Sequence, residues 1–122
     1  MTNFQEYTSN MKEIQSSLLD YIDNETKTEE NYENLFNIIC ERKILQDKYE
    51  MKIILKMISQ ISKNHHRNSM FSSKINRILK KLSNTIRKHF TSYEIFLIFK
   101  GSRNIILFLI KENMLNFDEK IV

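Results

Sequence analysis

Residues 70–90 read MFSSKINRILKKLSNTIRKHF. Turned at about 100° per residue, Phe71, Ile75, Ile78, Leu79, Leu82 and Ile86 fall within about 100° of one another, which is the apolar stripe of a core-facing helix. Lys74, Arg77, Lys80, Lys81, Arg87 and Lys88 fill the opposite side, so the stretch predicts one amphipathic helix with a basic outer face. A helix with a single apolar stripe needs neighbours to cover it, and the flanking sequence supplies them.

Upstream, Tyr7, Met11, Ile14, Leu18, Tyr21 and Ile22 keep helical spacing over about Asn3 to Asn24. Thr26 with Glu29 has the capping-box pattern and predicts a second helix over about Thr28 to Lys43. Asp47 with Glu50 repeats it and opens a third, whose seam is Met51, Ile54, Leu55, Ile58 and Ile61. Ile53 and Met57 widen that seam and give the helix a central place. Downstream, Thr91 with Glu94 caps a short helix to about Lys100, and Gly101 sits where a helix end wants a positive φ. Arg103 to Met114 reads as a last helix, apolar nearly all round and therefore buried. Proline is absent and Gly101 is the one glycine, so the turn chemistry of β-hairpins is nearly missing. The expectation is an all-α chain, a single domain over 1–122 of about five to six helices arranged as antiparallel helical hairpins.

Charge is segregated along this array. The first fifty residues carry eleven acids against five bases, Met51 to Tyr93 carry ten bases and no acid, and the rest are balanced. Such a pattern predicts either a basic helix complementing the acidic N-terminal helices or a basic face aimed at a partner. Clustered Lys and Arg suit a phosphate backbone. Aromatic residues do not interleave with the bases, however, and the run Ile105 to Ile110 leaves the helix after Gly101 almost no polar side chains to read base edges. Nucleic acid or another acidic surface is thus the second reading of Lys74, Arg77, Lys80, Lys81, Arg87 and Lys88.

Catalytic and metal chemistry has little to stand on. Cys40 is the single cysteine, so there is no disulfide framework and no thiolate cluster. Adjacent His65 and His66 would diverge by about 100° on a helix and cannot share one metal in regular geometry. With Arg67 they read as a helix end and turn, where such side chains meet the last carbonyl groups. His89 falls in phase with the apolar stripe. No cofactor is expected. The N-terminus is polar, and the longest apolar run, Ile105 to Ile110, is far short of the roughly 18 to 20 residues of a membrane span. A cytoplasmic protein is expected, with the nucleus also open.

These same residues bear a likeness to a known family. Lys12-Glu13-Ile14-Gln15 with Leu18 and Leu19, then Glu29-Glu30-Asn31-Tyr32, begin it. The turn Ile61-Ser62-Lys63-Asn64-His65-His66-Arg67 is its most specific string, and Ser92 to Phe99, Leu107 to Ile110 and Phe117-Asp118-Glu119 complete it. Over about residues 12 to 122 the chain resembles the N-terminal helical segment, of unknown function, of the large group of protist ankyrin-repeat proteins. The resemblance implies further helices and repeats downstream, with which a helix starting near Asp118 would agree. The chain itself has no Thr-Pro-Leu-His string and no period of about 33 residues, so it holds no ankyrin repeat. The function implied is a non-enzymatic protein-interaction or capping module. Its partners would be other proteins or downstream repeats, met through an apolar docking edge of Leu107, Ile110, Met114, Phe117 and Ile121.

Overall fold

A computed structural model describes residues 4–64 and 69–116, with the backbone alone for residues 4–10 and Ser69. The described residues are all-helical: seven α-helices, one 3₁₀ turn and no strand. They divide into two compact units, Met1–Asp47 and Lys48–Val122.

The first unit holds α1 (Phe4–Asp23), α2 (Thr28–Glu41) and the 3₁₀ turn Ile44–Gln46. Helical spacing puts Met11, Ile14, Leu18, Tyr21 and Ile22 on one side of α1, and all are buried, as are Leu35, Phe36 and Ile39 of α2. Tyr32 joins the two sets, with ring centroids 5.4 Å from Tyr21 and 4.8 Å from Phe36 in tilted geometry. Arg42 pairs with Glu13, and the Asn31 side chain donates to the Asp20 carbonyl oxygen at 3.3 Å. The capping box expected at Thr26 and Glu29 does not form. Thr26 instead directs its backbone N–H and its hydroxyl to Asn24 Oδ1, at 3.1 and 3.0 Å. Lys27 takes the left-handed conformation at φ 55°, so α2 starts at Thr28 and Glu29 falls one position short of the box. Lys43, at φ 54°, ends the helix in the same way and leads into the buried Ile44.

The second unit holds α3 (Lys48–Asn64), α4 (Ser69–Lys81), α5 (Ser83–His89), α6 (Ser92–Phe99) and α7 (Arg103–Lys111). α3 packs on α4 and α6, and α7 packs on α4 and α6. The seam expected for α3 is buried throughout, from Met51 to Ile61. Opposite it lie Ile95, Ile98 and Phe99 of α6, with Ile105 and Leu109 of α7 also buried. Ser59 of α3 and Ser102, just before α7, are buried together with their hydroxyl oxygens 3.4 Å apart. Their small size permits that approach and their mutual bond satisfies it.

Three further details differ from the sequence reading. The helix expected over 70–90 is broken at Leu82, whose φ −87° and ψ 0° leave the helical region between α4 and α5. The hydrogen-bond ladder persists across the break: the Leu82 N–H donates to the Ile78 carbonyl and the Ile86 N–H to that of Leu82. The apolar stripe therefore stays in register, and Phe71, Ile75, Ile78, Leu79, Leu82 and Ile86 are all buried. Ser83 and Asn84 follow the break, and such side chains compete for backbone groups and weaken a helix interior.

The last helix stops at Lys111, three residues early. Asn113 is left-handed at φ 59°, its N–H reaches the Ile110 carbonyl and the Met114 N–H reaches that of Leu109 at 2.8 Å. That is a Schellman turn, which caps the terminal carbonyls and folds the next side chain back. Met114 is buried as a result. The same helix is not buried all round, since Leu107 and Ile110 are exposed.

Candidate functional site

On the basic face, the structure separates the six cations. Lys74 is only 7 % exposed, Arg77 is half-buried, and Lys80, Lys81, Arg87 and Lys88 are exposed. Lys74 lies about 40° of helical rotation from Ile78, so it flanks the apolar stripe and is covered with it. Its expected place on an open basic face is thus corrected. Arg87 is engaged at its head: Nη2 donates to the Glu112 carbonyl oxygen at 2.9 Å, a cation at the C-terminal end of α7 where the helix dipole favours it. What remains open is Lys80, Lys81 and Lys88, without a continuous row.

Of the apolar edge, the structure keeps Leu107 (52 % exposed) and Ile110 (39 % exposed), three residues apart on one flank of α7. Met114 leaves it, drawn inward by the Schellman turn. Phe117 and Ile121 lie outside the described residues, as do His65, His66 and Arg67. His89 is half-buried with its ring edge-on to Phe90, 6.3 Å between centroids. Cys40 is a free, exposed thiol. Among the described residues no group of three or more His, Cys, Asp or Glu could hold a metal ion, and no helix is long and apolar enough to cross a membrane.

The sequence reading passed over a third surface, between α3 and α6. Lys48, Lys52 and Lys56 recur every fourth residue along one side of α3, about 6 Å per step. Tyr93 and Leu97 stand on the outer side of α6, opposite its buried Ile95, Ile98 and Phe99. Between the helices is a cavity of about 210 Å³ lined by Lys52, Lys56, Phe90, Glu94, Leu97 and Ile98. Its one acid is already committed. Lys48 Nζ lies 2.8 Å from Glu94 Oε2 and 5.5 Å above the Phe90 ring, within cation–π range. Glu94 also closes the capping box of α6: its Oε1 accepts from the Thr91 N–H at 3.0 Å, and Thr91 Oγ1 accepts from the Glu94 N–H at 3.2 Å. The Lys48 ammonium first, and then the Thr91 N–H, hold the Glu94 carboxyl below its ordinary pKa of 4.5. A signal for this surface was present in the four-residue lysine spacing. It was present too in α6 itself, which carries more apolar residues than one stripe can bury.

Another cleft opens beside Gly101, lined by Ser62, Lys63 and Ser102 to Asn104. Gly101 is at φ 93°, and a Cβ there would lie 3.4 Å from Lys63 Cε, so the lysine stem rests against the turn. The Ser102 hydroxyl lies within hydrogen-bond reach of the Ser59 hydroxyl and carbonyl oxygen, at 3.4 and 3.5 Å.

No known protein family, curated protein or solved structure matches this chain.

Proposed function

We propose that the chain is a non-enzymatic protein-interaction module that caps the head of an ankyrin-type repeat scaffold in the cytoplasm. The outer flank of α7 carries this reading, because Leu107 and Ile110 stand together in solvent where a monomer gains nothing from them. Stacked repeats need a terminal unit that covers an apolar end, and a short helix with an apolar outer flank suits that task. The sequence likeness supplies the class of partner. The same reading takes the array as successive helical hairpins. For α1 and α2 it is supported by the Asn31 bond to Asp20 near their loop and the Arg42 pair with Glu13 farther from it. A nucleic-acid role has less behind it, since Lys74 is buried and Arg87 is held by the Glu112 carbonyl.

A photo-cross-linking residue in place of Leu107, in the native polypeptide within its own cell, tests the proposal. Products mapped to ankyrin-type repeats, and lost when Ile110→Asp is added, support capping. Products mapped to other polypeptides would leave interaction and remove capping. No product beyond that of the same probe at Lys111 would sink both.

A further inference from the structure

We propose that the groove between α3 and α6 docks an acidic amphipathic helix of a partner protein, seating one apolar side chain against Leu97, Ile98 and Phe90 with carboxylates on Lys52 and Lys56. This rests on the reading of the chain as an interaction module and places a second contact away from the α7 flank.

Charge complementarity selects the occupant. Lys52 and Lys56 are exposed and have no ion-pair partner among the described residues. Glu94, the one acid on the wall, is neutralised by Lys48. The groove therefore presents uncompensated positive charge along one side and apolar surface along the other, with Leu97 49 % exposed. A partner must bring both negative charge and an apolar anchor.

Geometry narrows it further. The two lysines are one helical repeat apart, so carboxylates three or four residues apart on a facing helix match their step of about 6 Å. The cavity of about 210 Å³ falls below the roughly 300–1,000 Å³ of ordinary small-molecule sites and suits a single anchoring side chain. Tyr93, 56 % exposed and one turn from Leu97 on the outer side of α6, extends the exposed apolar surface beyond the cavity along the helix. A nucleic acid would satisfy the lysines and leave Leu97 and Tyr93 facing phosphate or water, with a single ring to stack on.

The test is to pan a display library of random helical peptides, about 15 residues long so that they can hold a helix, against the whole chain. Enriched peptides are then titrated by calorimetry. The expected winners carry two Asp or Glu three or four residues apart beside a Leu, Ile or Phe. Lys52→Glu combined with Lys56→Glu weakens them by roughly tenfold or more, and Leu97→Asp does the same. Lys80→Glu combined with Lys111→Glu, an equal charge reversal on two exposed lysines elsewhere, leaves the affinity unchanged. Circular dichroism of each variant checks that the exposed substitutions leave the helices intact. The proposal is overturned by a library that yields no enrichment, or by winners indifferent to the groove variants. It is equally overturned if mixed-sequence RNA displaces the peptides and still binds Leu97→Asp, or if the groove proves to hold a second copy of the chain, seen as a dimer that the same variants dissolve. These outcomes are read separately from the Leu107 cross-link, so failure of the groove is distinguishable from failure of the capping contact.

Discussion

In α4 the stripe of Phe71, Ile75, Ile78 and Leu79 is buried and Met70, at the start of the helix, is the one apolar side chain outside it at 53 % exposed, whereas in α7 only Ile105 and Leu109 of six consecutive apolar residues are buried. The two helices lie in one compact unit and pack on each other. What separates them is the width of the apolar surface each was given. α4 has one stripe of about 100°, which its neighbours can cover. α7 is apolar on every side, and neighbours reach only part of it. α6 behaves like α7, with Tyr93 and Leu97 left outside. Apolar surface beyond what packing can use becomes interaction surface, and both proposals rest on that surplus.

The largest expected effect tests the division directly. Leu79→Ala in α4 removes a side chain with no exposure and leaves a cavity, at a cost of about 2–5 kcal/mol. Leu107→Ala in α7 removes a side chain already half in water and is expected to stay within about 0.5 kcal/mol of the parent. Urea unfolding followed by helical circular dichroism reads both as midpoint shifts at constant slope. Equal losses would mean that Leu107 supports the fold, and the surplus would vanish.

A smaller effect separates how the short helices on either side of Phe90 are held. α6 has eight residues and begins with a complete capping box, so Thr91→Ala is expected to cost about 1 kcal/mol. α5 has seven residues and follows Leu82, which gives it no side-chain cap. It continues the α4 ladder, and packing of Leu82 and Ile86 holds it. Ser83→Ala should therefore cost nothing, and the better helix propensity of alanine can add a few tenths of a kcal/mol. The same unfolding experiment measures both. A Ser83→Ala loss equal to that of Thr91→Ala would show that α5 depends on a cap after all.

Where the sequence was legible, periodicity made it so. The α3 seam and the stripe of α4 and α5 were readable from helical phase alone, from Met51 and Phe71 onward, and the start of α6 from phase together with the Thr91 cap. The departures have physical causes that no local pattern carries. Thr26 and Glu29 have the same spacing as Thr91 and Glu94, yet Asn24 captures the Thr26 hydroxyl and Lys27 turns left-handed. Asn113 was an ordinary polar residue in the sequence, and its left-handed φ is what draws Met114 off the docking edge. Lys74 was counted with the basic face because it is charged, although its angle beside Ile78 puts it at the margin of the stripe. Which flank of α6 or α7 stays open depends on where α3 and α4 lie, and that is tertiary information.

The smallest effect concerns Glu94, which stands where the buried side of α6 gives way to its open side. Its carboxyl is held below 4.5 by Lys48 and by the Thr91 N–H, so the folded state favours the ionised form. A depressed folded pKa contributes stability that is fully present above the ordinary value and is lost as pH falls through the folded one. Stability of this unit should therefore decline on acidification below about pH 4.5. Glu94→Gln should flatten the part of that decline due to this group, since glutamine can still accept from the Thr91 N–H but does not titrate. Both partners of the ion pair are well exposed, 51 % for the Lys48 side chain and 37 % for that of Glu94, so solvent and salt screen it. Added salt should shrink the difference between parent and variant without removing it, because the Thr91 bond persists when the Lys48 attraction is screened. Thermal midpoints recorded from about pH 3 to 6 at low and high salt read this out. Identical pH slopes for parent and Glu94→Gln would show that the carboxylate gains nothing from the fold, and the open margin of α6 would then hold no electrostatic anchor.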